Sequence, residues 1–108
     1  MFKKEKWTFT GATGKEYVFT ISSKSEGLLS TPGVFIQAYT HLRGHMAGWQ
    51  VNPLHLAHSE NMGAALDASE LSDDDVALWN CNYVLMNGDE AAREEVVRDL
   101  RGVDHFIC

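Results

Sequence analysis

Apolar and polar residues alternate along two short segments near the start of the chain, Trp7–Thr10 and Tyr17–Ile21. Alternation over about four to eight residues is typical of a β-strand with one buried face. The segment between them, Gly11–Gly14, is rich in the small residues that tight turns favour. The pattern therefore predicts an N-terminal β-hairpin.

Three further strands are predicted by apolar segments rich in β-branched and aromatic residues. They cover Val34–Tyr39, Trp49–Leu56 and Trp79–Met86. A polar loop, residues 40–48, separates the first two of these segments.

Two short helices are predicted between the fourth and fifth strands. The first covers 61–68, and the second begins at Ser72, whose hydroxyl can cap the amide near Asp75. Three aspartates in the first turn of the second helix, residues 73–75, suit the positive end of the helix dipole.

A final helix begins at Asn87 or Asp89, runs to about Arg101 and ends at Gly102. Its apolar side chains follow helical spacing and form one face: Ala92, Val96, Leu100 and Val103. The order of elements predicts an α+β fold, with a small, largely antiparallel sheet that starts with a β-hairpin and is flanked by three helices. We expect a single domain over residues 1–108.

Composition and charge restrict the classes of function that fit the chain. The chain carries 15 acidic and 9 basic residues, for a net charge of −6, whereas nucleic-acid-binding proteins usually present a basic surface. The acidic side chains concentrate around the second short helix, where they form either a solvated surface or one that attracts basic partners: Asp67, Glu70, Asp73, Asp74 and Asp75. Neither a membrane-spanning run nor a secretion signal follows from the sequence, which favours a cytoplasmic protein.

Four segments resemble, in order and spacing, the small stand-alone GIY-YIG nuclease domains of bacteria and phages. They are Phe9–Lys15, Gly33-Val34-Phe35, Trp49–Leu54 and Asn87–Arg93. The resemblance covers nearly the whole chain. It implies a GIY-YIG-like fold in which the two motifs lie on adjacent strands, so that Phe35 and His55 should be close together on one face of the sheet.

The same resemblance implies that the active site has been lost. The two motif tyrosines fall on Phe35 and His55, the helix arginine on Ala65, the metal-binding glutamate on Val97 and the late asparagine on His105. Phosphodiester cleavage needs a base, a cationic group and usually a metal ion, so the loss of all three predicts no nuclease activity and no cofactor.

The sequence therefore predicts a catalytically inactive, GIY-YIG-like module that binds a protein, for instance as an inhibitor of a nuclease or defence complex. The contact candidates are Arg43, Trp49, His55 and His58. Two alternatives stay open: a metal-dependent nuclease that uses displaced residues such as Glu94 and Glu95, and a structural subunit of a larger assembly. Binding to nucleic acid should be weak or absent.

The histidines and cysteines suggest no stronger site. His41, His45 and His58 would be the set for a metal, but three or four ligands must converge and these read as loop and edge residues, so no metal site is predicted. Residues 55 and 58 should face opposite sides of a strand. Cys81 and Cys108 are expected to be free thiols, and the apolar tail 105–108 is compatible with packing on the domain or with a homodimer contact.

Overall fold

The computed structural model describes residues 6–24, 27–42, 49–68 and 71–103. These residues form five strands and three helices, which confirms the predicted α+β class. The elements are β1 (Lys6–Thr10), β2 (Glu16–Ser23), β3 (Gly33–Leu42), β4 (Trp49–Ser59), α1 (Met62–Asp67), α2 (Asp73–Leu78), β5 (Cys81–Met86) and α3 (Glu90–Arg101).

The described strands form one antiparallel sheet in the order β1-β2-β5-β3-β4. β5 lies between the two hairpins and pairs with both β2 and β3, so it joins them into a continuous sheet. β4 pairs with β3 alone among the described strands. Gln37 is opposite His55 and Ala38 is opposite Pro53, so Leu54 is the extra residue of a β-bulge.

The larger core cluster lies between the sheet and α3. Phe9 packs edge-on against Phe19 and Tyr83, with both pairs of ring centroids 5.3 Å apart. Val96, Val97 and Leu100 cover these rings from α3. A second, smaller cluster lies beneath α1 and contains Phe35, Met62 and Leu66.

Asp99 fastens the first hairpin to α3. Its carboxylate accepts hydrogen bonds from the Thr13 amide (2.9 Å), the Thr13 hydroxyl (2.8 Å) and the Tyr17 hydroxyl (2.7 Å). A Cβ at Gly11 would overlap this carboxylate, so the turn needs a glycine there. Burial, and then the bond to Asp99, raise the pKa of Tyr17 to about 12. The bonds from Tyr17 and from the Thr13 amide hold the pKa of Asp99 below its usual range.

Side chains cap the starts of the three described helices, and those of the second and third were predicted. The side chains of Asn61, Ser72 and Asp89 each accept a hydrogen bond from a first-turn amide. Asp89, rather than Asn87, therefore caps α3, and Gly102 ends it as predicted.

Three local predictions are wrong. β4 continues past Leu56 to Ser59, because residues 57–59 still pair with β3. Trp79 belongs to the end of α2 and not to β5, since its amide donates to the Asp75 carbonyl at 2.8 Å. β3 continues past Tyr39 to Leu42, so residues 40–42 belong to the strand and not to the predicted loop. The predicted apolar face of α3 packs against the core with Val96, Leu100 and the half-buried Val103, and Arg93, Val97 and Asp99 are buried as well.

Candidate functional site

Phe35 and His55 lie where the paired strands were expected to bring them. They are on the adjacent antiparallel strands β3 and β4 and face the same side of the sheet, with ring centroids 6.3 Å apart. This prediction of their placement is confirmed. Burial, and then the charge of Arg101, lower the pKa of His55, which favours the neutral imidazole.

The side chain of Phe35 is enclosed by neighbouring side chains. Only 1% of Phe35 is exposed, and it packs with Met62 and Leu66 of α1. Half-buried neighbours complete an enclosure that is apolar almost throughout: Leu28, Ala57, Ala65, Trp79 and Val84. No hydroxyl is present at this position, and the ring is shielded from solvent.

The other described positions that the resemblance assigns to the active site converge only in part with Phe35. Ala65 packs into the same cluster, whereas Val97 belongs to the cluster under α3, on the other side of the sheet. His105 lies outside the described residues. The described positions carry a methyl group and an isopropyl group, so they offer neither a cation nor a metal ligand.

His58 faces α3, on the side of β4 opposite His55, as predicted. Its Nδ1 accepts a hydrogen bond from Nε of Arg93 at 3.4 Å. In the neutral ring the proton then resides on Nε2, which is left as a donor. Of the other predicted contact residues, Arg43 lies outside the described part of the chain, as does the side chain of Trp49.

A groove runs between β4 and α3. It has a volume of about 470 Å³, and the residues that line it are Ala57, His58, Glu94, Val97, Arg98 and Arg101. Arg101 also reaches the strand itself, because its Nη2 donates to the Leu56 carbonyl at 3.2 Å. Among the described residues that line it, two arginines outnumber one glutamate, so the groove is basic in a protein whose net charge is −6.

Arg93 lies next to this groove and is almost completely buried. It is 1% exposed, and its Nη1 donates to the Asn87 carbonyl at 3.0 Å in addition to the bond to His58. Within the described residues no carboxylate forms an ion pair with Arg93, Arg98 or Arg101. Buried charges are ordinarily paired. The positive charge beside the groove is an exception within the described residues, because it has no anionic counterpart there.

Sequence reasoning missed these three arginines. A signal was available: Arg93, Val97 and Arg101 are spaced four residues apart and therefore lie along one side of α3. Arg93 and Arg101 flank the apolar Val97 on this side of α3. The spacing therefore indicated positive charge where α3 packs against the sheet.

A buried polar row crosses the sheet on the face opposite α3. It passes through Ser22, Asn82, Gln37 and His55, which pair across β2, β5, β3 and β4. Asn82 is fully buried, and its Oδ1 accepts a hydrogen bond from Trp79 Nε1 at 2.9 Å. Its Nδ2 has no hydrogen-bond partner among the described residues.

The described acidic residues and candidate metal ligands do not form a metal-binding group. Asp67, Asp73 and Asp74 are exposed and Asp75 is half-buried, while Glu70 lies outside the described residues. No group of three or more histidine, cysteine, aspartate or glutamate side chains in the described ranges could hold a metal ion. Of the histidine set, His45 and the side chain of His41 are likewise outside those ranges.

Cys81 is a free, buried thiol. Its Sγ lies 3.1 Å from the Thr40 hydroxyl, which in turn lies 2.6 Å from the Tyr83 hydroxyl. Burial raises the pKa of Cys81, so the nucleophilic thiolate is disfavoured. Cys108 lies outside the described residues.

The comparisons with known proteins return nothing: no protein-family model matches the chain, and no curated protein or solved structure is detectably similar to it. In the portion of the chain that the structure describes, no helix has the length and apolar character needed to cross a membrane.

Proposed function

We propose that this protein is a cytoplasmic binding module with a GIY-YIG-like fold and no nuclease activity, and that it recognises another protein through the groove between β4 and α3. The observation that carries the proposal is the closed position of Phe35. The residue that stands in place of a motif tyrosine is 1% exposed and packed under α1, so it serves the core.

The chemistry of the groove supports binding over cleavage. Hydrolysis of a phosphodiester requires a positioned base, groups that stabilise developing charge and usually a divalent cation. Among the described residues that line the groove, Glu94 is the one carboxylate, and Val97 stands where the resemblance places the metal-binding glutamate. Removal of a single preorganised stabilising group typically costs about 100- to 1,000-fold in rate.

Charge favours a protein partner over a nucleic acid. A net charge of −6 repels a phosphate backbone over the whole surface, although the groove itself is basic. The exposed aspartates Asp67, Asp73 and Asp74 give the molecule an acidic surface around α1 and α2. Such a surface is suited to cover a basic channel, which is why an inhibitor of a nuclease or defence complex fits this proposal.

One observation favours a second candidate, a nuclease that uses displaced residues. Glu94, His58, Arg98 and Arg101 line the same groove and would supply a carboxylate, an imidazole and two cations. Glu95, the other displaced carboxylate, is exposed and does not line the groove. The second candidate would therefore depend on Glu94.

A plasmid-nicking assay with magnesium or manganese separates the two. We expect the wild-type protein to leave supercoiled plasmid intact, as does the Glu94→Ala variant. Metal-dependent nicking by the wild type that disappears in Glu94→Ala, but persists in the matched Glu95→Ala variant, would replace the binding proposal with the nuclease.

A further inference from the structure

β4 presents a free edge to the outside of the described sheet. Its one neighbour is β3, so the backbone groups on its other side have no partner strand. The Leu56 carbonyl is one of these groups, since it accepts from the side chain of Arg101. Backbone groups two residues apart point the same way in a strand, so those of His58 share this edge.

The edge and the basic groove are continuous. Arg101 contacts the edge at Leu56 and lines the groove, and His58 contributes to both. A chain that lay along β4 would therefore place its own side chains beside Arg98 and Arg101. Unpaired strand edges are sites at which extended peptides add as a further strand.

We propose that the β4 edge binds an extended, carboxylate-rich segment of a partner protein, which adds to the sheet as a sixth strand while its carboxylates pair with Arg98 and Arg101. This inference rests on the proposed function and names the partner's chemistry. On binding, Arg101 exchanges the Leu56 carbonyl for a carboxylate, and the freed carbonyl accepts a backbone amide of the peptide. Arg93, which forms no ion pair with a described carboxylate, adds its charge from beneath.

Charge complementarity selects this occupant. The three arginines have no carboxylate partner in the described residues, so the carboxylates of a bound segment would neutralise their charge. A nucleic-acid strand carries no peptide amide or carbonyl with which to continue the ladder. An acidic peptide satisfies both the edge and the arginines.

The test is a titration of the 15N-labelled full chain, followed by NMR. The probe is a peptide of about ten residues that alternates glutamate and threonine, a length that matches a single added strand. A glutamine–threonine peptide of the same length and a short DNA duplex are titrated in parallel. We expect the acidic peptide to shift the amide signals of Leu56 and His58, and the glutamine peptide to bind more weakly.

Two double variants locate the interaction. Arg98→Gln with Arg101→Gln should weaken binding of the acidic peptide by roughly 2- to 30-fold, because two solvent-exposed ion pairs are lost. Lys6→Gln with Lys15→Gln removes the same charge around β1, at the opposite edge of the sheet, and should bind like the wild type.

Absence of shifts along β4, equal loss of affinity in both double variants, or tighter binding of the duplex than of the acidic peptide would overturn the inference. None of these outcomes involves cleavage. A failure here is therefore distinguishable from a failure of the proposed function, which the nicking assay reports.

Discussion

Replacement of Phe35 by tyrosine tests whether the side chain at this position is shielded from solvent. Phe35→Tyr adds a single hydroxyl at the tip of a ring that is 1% exposed. In an active nuclease of the family that the sequence resembles, a tyrosine stands at this position. In the structure the ring ends among apolar side chains of α1 and its neighbours, so we expect the variant to be destabilised.

The size of the effect follows from the surroundings. A buried hydroxyl without a hydrogen-bond partner costs about 1–3 kcal/mol. The His55 ring, whose centroid is 6.3 Å from that of Phe35, is a polar neighbour on the same face of the sheet. In a domain of this size each kcal/mol corresponds to roughly 4–8 °C in Tm, so the variant should melt roughly 5–20 °C below the wild type.

Urea denaturation followed by tryptophan fluorescence measures the change, since the chain has three tryptophans. Phe19→Tyr is the matched control, because Phe19 is fully buried in the other cluster and should lose a similar free energy of unfolding. If Phe35→Tyr is as stable as the wild type while Phe19→Tyr is not, position 35 is open or paired with His55, and the reasoning from a closed site is refuted.

Three further substitutions test the packing of the core and the titration of a buried tyrosine. Asn82→Leu should raise the free energy of unfolding by about 1–3 kcal/mol, because it removes a buried amide with an unpaired Nδ2 while Trp79 Nε1 keeps a second acceptor; urea denaturation measures this. Leu100→Ala should lower it by about 3–5 kcal/mol, since the side chain is fully buried under the sheet; the same assay applies. Tyr17 has a pKa of about 12 in the folded protein against an ordinary 10.0, so the unfolded chain loses this proton first and stability falls as pH rises from 10 to 12. Tyr17→Phe should show a smaller fall, measured by urea denaturation at several pH values across that interval.

The local elements were predictable because their patterns are local. Alternation marked β1 and β2, and the capping side chains of Ser72 and Asp89 marked the starts of α2 and α3. The errors came where tertiary pairing extended or shortened an element. β4 reaches Ser59 because Gly33 pairs with it, and no local pattern shows that partner.

The candidate groove was only partly predictable. His58 was identified as a contact residue and Glu94 as a displaced carboxylate, but Arg93, Arg98 and Arg101 were not identified. Arg93 is buried because the His58 ring and the Asn87 carbonyl both accept from it, and their positions depend on the whole fold. The insertion of β5 between the two hairpins leaves β4 at the edge of the sheet, and that order cannot be deduced from segment patterns.

Site-specific photo-crosslinking in the source cells tests the central claim most directly. A benzophenone amino acid replaces Glu94 in the groove, and a matched probe replaces Glu16, which is exposed on β2 away from the groove. The account predicts a discrete protein adduct from position 94 and none from position 16. An adduct to nucleic acid from position 94, the same adducts from both positions, or no adduct from position 94 would contradict it.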